Sequence, residues 1–570
     1  MLRYSRVMKI REITLHNYRS IKDATFYAAD YGLLIGANNC GKTSVLDALR
    51  NFYEKDIKFD QQRDFPKFPT DDKESWVEIE YEMTKDEADS IKTEYRQPGN
   101  RFRVRKILHS DDKTKQHLFA YEGGALSQNQ FYGDDNVGLG KLGDVIHIPA
   151  VSKLEDVSKF SGASPLRELV NTIFKKLVKG SVAFTTFQGA IRTFGQGIQT
   201  EQTPDKRSLK GLEDDINAGL GDWDAKFKFK VNPLSETEVV KSMLDYDIFD
   251  ETLKANQSAS SYGQGFQRQL IYRLFRVSAA YATSRPAGKK KDFSPDFTLL
   301  LFEEPEAFLH PPQQSQLDRD LRKIGREDGR QVLVSTHSPQ FVSHATENIP
   351  GIARLHRNNG LTAIGQVRPE NLNGLFLENQ EINKLAAGLK NYEAGTEESK
   401  LEMEAVKYFL WLNPERCGVF FAKRTLIVEG PSKLVLINYL IQTGKIRTPA
   451  GGLFVLDAMG KFNIHRFMNL SGELKIEHSI LHDADANKTG DDKTFHDGVN
   501  KLIQDKRNPF TQKIHVFPDD LEKFLGFTVP DKDHRKPSRL LLALKESKIN
   551  AAQVDLLCQL VEELAGVPPP

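Results

Sequence analysis

Cysteine is scarce in this chain. Its 570 residues hold three, Cys40, Cys417 and Cys558, far apart in sequence. They offer neither a disulfide framework nor a Cys-rich zinc site, and they suit a reducing compartment. Long apolar runs are missing too. The longest, Thr298–Phe302 and Leu540–Leu544 among them, fall far short of the roughly 20 residues that a membrane-spanning helix needs. The opening MLRYSRVMKIREITL is basic but lacks the apolar core of an export signal. Met8 is an alternative start, just ahead of the first strand-like pattern. The expectation is a cytoplasmic protein with no membrane association. Charge of one sign is not in excess either: 79 Lys+Arg against 78 Asp+Glu leave a formal net charge of +1. That argues against a polycation that coats nucleic acid by charge alone, while leaving room for a local basic groove.

What is present is the material of ordinary packed cores. Hydrophobic residues make up 39% and charged residues 28%, so the chain is not a disordered one. Its length points to roughly three or four units. KIREITLHNY (Lys9–Tyr18) alternates as a half-buried strand should, Leu33–Ile35 reads as a short buried strand, and Ser44–Tyr53 has helical spacing. Strand patterns at Trp76–Met83, Arg101–Leu108 and His117–Gly123 suggest an antiparallel sheet, and Asp144–Ala150 suggests another buried strand. From Val151 to Asp250 the texture turns helical, as in Leu166–Val178 and Ser208–Leu220, and a dimerisation insertion or a spacer is expected there. Strands resume at Phe297–Glu306 and Gln331–Pro339. A polar helical stretch from Arg368 to Pro414 reads as a connector, and a second α/β unit opens at RTLIVEG (Arg424–Gly430). The expected division is 1–150 and 251–367 for a first domain, 151–250 for its insertion, 368–420 for the connector and 421–570 for the last domain.

GANNCGKTS (Gly36–Ser44) matches G-x-x-x-x-G-K-[ST] between a buried strand and a helix, the context this phosphate-binding loop requires. Gly36 and Gly41 let the backbone curl, Asn38, Asn39 and Ser44 complete the loop, Lys42 faces the β/γ oxygens of ATP, and Thr43 holds Mg²⁺. FTLLLFEEPE ends in two carboxylates, with Glu303 expected near Mg²⁺ and Glu304 expected to polarise the attacking water. VSTHSP places His337 at another strand end, as a sensor of the γ-phosphate. SYGQGFQRQ (Ser261–Gln269) is a Gly- and Gln-rich turn leading into a helix. Together with NYRS (Asn17–Ser20), these residues in this order resemble the ABC-type ATPase heads of the structural-maintenance-of-chromosomes and RecF kind. The resemblance implies a nucleotide sandwiched between two heads, with Gly263, Gly265 and Gln267 acting in trans and a homodimer or higher oligomer. Glu303 stands where many such ATPases have Asp, and the signature is not L-S-G-G-Q. Gln61, Gln62 or Asp64 is the candidate for a loop that contacts Mg²⁺ or water.

The last unit carries acids at three strand ends: Glu429-Gly430, then LFVLDAMGKFN with Gly460-Lys461, then SILHDADANK with Asp483-x-Asp485. Carboxylates at the ends of parallel strands converge on the crevice where α/β sheets place ligands. Asp483 and Asp485 are thus expected to share a cation with Glu429, and Asp520 and Glu522 offer ligands for a second. The ordered set E-G, G-K, D-x-D resembles a Toprim domain. An ABC-type head followed by a Toprim domain resembles the OLD (overcoming lysogenization defect) family of ATP-dependent nucleases, over most of the chain apart from the insertion.

The fold class implied is α/β: an ABC-type P-loop ATPase head with a helical insertion, followed by a Toprim-like, Rossmann-like domain. The resemblance implies an ATP-regulated endonuclease or nickase acting on double-stranded DNA in defence against phage. Mg²⁺ or Mn²⁺ serves ATP, and one or two further ions serve the Toprim centre. An accessory partner, helicase-like or reverse-transcribing, belongs to the same expectation. A late lysine serves such sites; Lys545 is the candidate, with Lys548 and Lys536 as rivals. Relatives often carry an acid four positions after the motif glutamate, where this chain has Lys433. That departure supports an alternative, a RecF-like DNA-repair ATPase whose last domain binds DNA or a partner without cutting.

Overall fold

A computed structural model of the chain describes residues 7–55, 57–150, 170, 181–220, 225–229, 246–258, 261–282, 293, 295–386, 400–528 and 535–568. In chain order the strands begin with β1 (Lys9–Tyr18), β2 (Ile21–Tyr27), β3 (Tyr31–Ile35), β4 (Ser75–Glu82), β5 (Arg101–His109) and β6 (Leu118–Glu122). They continue with β7 (Ala125–Gln130), β8 (Asp144–Ile148), β9 (Ile248–Asp250), β10 (Ala255–Gln257), β11 (Thr298–Glu303) and β12 (Arg330–Ser335). The last are β13 (Ile352–Asn358), β14 (Leu361–Gly365), β15 (Thr425–Val428), β16 (Phe454–Asp457), β17 (His478–Asp483) and β18 (Thr511–Phe517).

Two sheets build the first domain. One is antiparallel, in the order β2-β1-β4-β5-β6-β7. A bulge between Ile10 and Glu12 shifts its alternation, so Ile10 and Ile13, three apart, both enter the core. The other runs β14-β13-β3-β12-β11-β8, parallel except for the edge strand β14. Its β3 and β12 are buried at every position, as parallel strands covered on both faces must be. A shared core of Leu34, Val45, Leu46, Leu49, Phe52, Ile79 and Leu301 joins the two sheets through the helix Lys42–Tyr53.

The last domain is a four-stranded parallel sheet, β16-β15-β17-β18. Its core joins Leu426 and Val428 to the helices Pro431–Gln442, Lys536–Lys545 and Ala551–Leu564. The polar connector is built into this domain. Glu404, in the helix Leu401–Trp411, is fully buried and pairs with Arg466 at 2.9 Å, while Tyr408 donates to the Arg466 carbonyl and Asn379 donates to Tyr408. Burying charged and polar groups is tolerated because each finds its partner.

Residues 151–287 form a separate compact unit. Its described parts are the helices Val182–Thr200, Leu209–Ala218 and Gln264–Ala282 and the hairpin β9–β10. The helical pattern at Ser208–Leu220 is the helix Leu209–Ala218, capped by the Ser208 hydroxyl. The pattern at Leu166–Val178 lies outside the described residues apart from Val170.

One side chain fastens the first domain to the last. Arg354 on β13 is buried, and its guanidinium donates to the carbonyls of Phe420 (2.9 Å), Ala422 (2.9 Å), Leu474 (3.3 Å) and Lys475 (2.8 Å). Burial pushes it down to about 10, with Cys40 and Glu477 opposing. The four carbonyls belong to the segments that feed β15 and β17, while Arg354 itself lies in register with Ile35, the last residue of β3. Close packing reinforces the joint: a Cβ on Gly365 would lie 2.6 Å from the Leu474 carbonyl oxygen. Arg354→Ala strips these carbonyls of their donor, and an unsatisfied buried acceptor costs about 1–3 kcal/mol. The expected outcome is a loss of about 3 kcal/mol or more, seen as a lowered melting temperature; an unchanged one contradicts the fastening role.

Candidate functional site

The phosphate loop leaves β3 at Gly36, whose φ is +138°. A Cβ there would lie 2.1 Å from the Leu355 carbonyl oxygen, so only glycine fits. Asn39 (φ +61°) and Gly41 (φ +102°) continue the left-handed curl into the helix that starts at Lys42. The Lys42 ammonium is buried and donates to the carbonyls of Gly36 (3.0 Å) and Ala37 (3.1 Å). Burial pushes it below an ordinary lysine, with Cys40 and Glu304 pulling it back. Thr43 Oγ1 donates to Glu303 Oε1 at 2.7 Å. Hydroxyl and carboxylate thus stand together as the oxygen donors Mg²⁺ prefers.

Glu304 follows the end of β11 with φ +43°, a left-handed conformation that a non-glycine residue holds where the surrounding structure over-determines it. Its amide donates to the Ser335 carbonyl, and its carboxylate stands 3.4 Å from His337 Nε2. Burial, then the Lys42 charge, lowers the His337 pKa, with Glu304 pulling it back. Sequence reasoning missed Glu306. Its Oε1 accepts the His337 amide at 2.6 Å, Oε2 has no partner among the described residues, and burial pushes the carboxyl up. The signal was present in the string EEPE, but nothing in that string told a cavity acid from one that holds a neighbouring loop. His147 was missed as well. Its Nε2 lies 3.8 Å from Glu303 Oε2, and burial and Arg50 push it down to about 4.

A cavity of about 1050 Å³ opens over the loop, lined by Asn38, Asn39, Lys42, Thr43, Ser44, Glu304 and His337, and also by Arg19, Arg63, Lys67 and Arg357. The NYRS motif therefore reaches the cavity through Arg19, which is held by Asp47 (2.8 Å) and Asp64 (2.9 Å). Asp64 is fully buried between Arg19 and Arg63; Gln61 and Gln62 are exposed on the same short helix. In the separate unit, Gly263 precedes the helix Gln264–Ala282, Gly265 lies in its first turn, and Gln267 Nε2 donates to the Tyr262 carbonyl at 2.8 Å.

The second centre sits at the carboxyl ends of β15 and β17. Glu429 Oε2 accepts the Asp483 amide at 3.0 Å, joining the two strand ends directly. Lys433, in the first turn of the helix Pro431–Gln442, points back between them. Its Nζ is 2.6 Å from Asp483 Oδ2 and 3.6 Å from Glu429 Oε2. Burial works against this charge, but Glu429 and Asp483 raise it above an ordinary lysine, and Glu522 adds to the same field. Burial pushes the Asp483 carboxyl up, with Lys433 pulling it back. Asp483 Oδ1 is buried without a partner among the described residues.

Asp485 (φ +57°) turns to a different cation. Its Oδ2 takes Lys461 Nζ at 2.5 Å and His496 Nδ1 at 2.9 Å, and Lys461 also donates to the Asp483 carbonyl. Burial disfavours its charge, but Lys461 and His496 hold the carboxyl below its usual range. Asp520 caps the short helix Leu521–Phe524 by accepting the Lys523 amide. Among the described residues no three His, Cys, Asp or Glu side chains form a ready set of metal ligands. The unpartnered Asp483 Oδ1 nevertheless fits one divalent ion, because Mg²⁺ is commonly held by one or two carboxylates with water completing the shell. The ammonium groups touching these carboxylates are Lys433 and Lys461. Lys545 Nζ lies 5.3 Å from the Tyr439 ring centroid, Lys548 pairs with Glu546, and Lys536 starts the helix Lys536–Lys545. Lys461 was quoted in the G-K pair, yet its bond to Asp485 spans 24 residues, too far for the motif to reveal.

Two family models match. Residues 33–343, more than half of the chain, match "AAA domain, putative AbiEii toxin, Type IV TA system". Residues 420–485 match "Overcoming lysogenization defect protein-like, TOPRIM domain". The chain is similar to the Old nuclease of Escherichia phage P2, 23% identical over 359 residues, with 60% of this chain and 59% of that protein covered. It is also similar to the endonuclease GajA of Bacillus cereus (strain VD045), 23% identical over 510 residues, with 84% and 75% covered. It therefore spans less than two thirds of the first relative and three quarters of the second. Among solved structures it is similar to an SMC head domain from Thermotoga maritima, at 12% identity and a TM-score of 0.28, covering 63% of this chain and 99% of that one.

Lys42→Ala is expected to weaken nucleotide binding by about a hundredfold, because a charged phosphate partner is lost. Glu304→Gln is expected to keep binding ATP while turnover falls by about a hundredfold or more. Equilibrium binding of a fluorescent nucleotide and phosphate release read the two effects, and wild-type turnover in Glu304→Gln contradicts the role given to Glu304.

Proposed function

The chain belongs to this AAA-domain family and carries an OLD-like Toprim domain behind the ATPase domain, and from that premise we propose that it is an ATP-regulated, divalent-metal-dependent endonuclease or nickase of double-stranded DNA that serves in defence against phage. The observation that carries this reading is the meeting of Glu429 and Asp483 at Lys433 where two parallel strands end, in a chain whose curated relatives are named nucleases.

In the head, Lys42 and the loop amides receive the phosphates of ATP, and Thr43 and Glu303 hold its Mg²⁺. Glu304 orients and polarises the attacking water, and His337, beside it, registers the γ-phosphate. Gly263, Gly265 and Gln267 of a second copy close the nucleotide site, which makes the working form a homodimer or larger. Arg354 supports regulation by ATP: it lies in register with the strand that ends in the phosphate loop and grips the segments that lead to Glu429 and Asp483.

In the Toprim domain, Glu429 and Asp483 are the residues that hold a divalent ion, and Asp485, kept ionised by Lys461 and His496, lines the same crevice. Asp520 and Glu522 extend the acidic edge. A bound ion there activates water and stabilises the leaving oxygen of the phosphodiester. Lys461 and Lys433 supply fixed positive charge close to the reacting phosphate; Lys545, over the Tyr439 ring, is the remaining lysine candidate through the family resemblance alone. An accessory helicase-like or reverse-transcribing partner belongs to the reading through the family alone.

A second reading, a RecF-like repair ATPase whose Toprim domain binds DNA without cutting, is favoured by one observation: Lys433 occupies Asp483 and Glu429. Supercoiled plasmid incubated with the full chain, ATP and Mg²⁺ or Mn²⁺ separates the two. Conversion to nicked or linear DNA, lost in Asp483→Ala/Asp485→Ala, is the expected result. Undiminished cutting by that variant assigns the activity elsewhere, and DNA retention without cutting by wild type establishes the second reading.

A further inference from the structure

Lys433 is a buried ammonium with two carboxylates in reach, and it sits where a cation would bridge them. The residue is 4% exposed, and its nitrogen lies 2.6 Å from Asp483 and 3.6 Å from Glu429. Glu522, also buried, is the third acid in its field. Glu429 and Asp483 outnumber the one ammonium between them, and Glu522 adds to the same field. Asp485 stands apart from this pair, because Lys461 and His496 already engage it. The two oxygens of Asp483 are unequal in the same sense. Oδ2 is taken by Lys433, whereas Oδ1 is buried and unpartnered among the described residues, on a residue that is 8% exposed. A buried carboxylate oxygen without a donor is costly unless a ligand completes it.

We propose that the Toprim centre holds one divalent cation, at Asp483 Oδ1, and that the Lys433 ammonium permanently fills the place of a second. The proposal rests on the phosphodiester-cleaving reading given above. A lysine in that place is a fixed point charge that needs no loading. It offsets part of the charge of Glu429 and Asp483 before any ion arrives, at strand ends that the β15–β17 ladder and the Asp483 amide bond to Glu429 hold together. Two ions would have to share the crevice with this ammonium, and like charges at such separations disfavour that strongly. Removing Lys433 in favour of an acid reverses the balance: it deletes one positive charge and adds a negative one, the conditions for a second ion.

The test counts ions directly. Nucleotide-free full chain is titrated with MnCl₂, and free Mn²⁺ is read by electron paramagnetic resonance, for wild type, Asp483→Asn and Lys433→Asp. The difference between wild type and Asp483→Asn isolates this centre from any ion at the phosphate loop. Wild type is expected to bind one Mn²⁺ more than Asp483→Asn, and Lys433→Asp to bind two more. Two ions lost in Asp483→Asn, or none, overturns the proposal. Should Lys433→Asp not fold, the isosteric Asp483→Asn comparison decides alone. Plasmid nicking on the same samples keeps the two readings apart. One bound Mn²⁺ without cutting leaves the lysine in place and removes the nuclease, whereas two bound Mn²⁺ with cutting does the reverse.

Discussion

Carboxylates gathered at the ends of parallel strands repel one another, and burial deepens that repulsion because low dielectric strengthens every charge. Each such cluster is therefore met by cations or gives up charge by holding a proton, the direction in which burial pushes Asp483 and Glu306. The chain solves this twice in different ways. In the head, Glu303 faces the Thr43 hydroxyl and His147 with no ammonium beside it among the described residues, and on the proposed reading a nucleotide with its ion brings the balancing charge. In the Toprim domain, Lys433 and Lys461 are built in, and only a residual charge is left for an ion.

Geometry at the strand ends repeats in both centres. Glu304 follows β11 and Asp485 follows β17, each in a left-handed conformation that turns the carboxylate out of line with its strand. The acid just before each turn, Glu303 or Asp483, stays within the sheet edge. A pair of acids on one short segment thereby engages two sets of partners, Glu303 the Thr43 hydroxyl and Glu304 His337, Asp483 Lys433 and Asp485 Lys461 with His496. Arg354 ties the two sheets together through backbone carbonyls. Its carbonyl partners fix its position, while its own buried charge reaches Cys40 in the phosphate loop and His356 on the same strand.

Much of this was legible in residues alone because it is local. The alternation of Lys9–Tyr18, the apolar run into Gly36 and the E-G and D-x-D strand ends are patterns within ten residues, and the corresponding strands lie where those patterns place them. Arg354 was not legible, since its partners stand 66 to 121 residues away. The connector reads as polar because Glu404 and Asn379 are polar; only the fold reveals that Arg466 and Tyr408 bury them. Lys433 was visible as a departure from an acidic position, but its direction was not. Glu429 ends the strand side of an extended turn at Gly430, and the helix begins only at Pro431, so it is the turn back into the first helical turn that brings Lys433 between Glu429 and Asp483.

The central claim, that a lysine and a single ion share the Toprim carboxylates, is open to direct sight. Crystals of the full chain grown with MnCl₂ and measured at the manganese edge would give one anomalous peak beside Asp483, with the Lys433 nitrogen still within hydrogen-bond distance of the other Asp483 oxygen. Two peaks flanking Asp483, with Lys433 swung away from it, would contradict the claim.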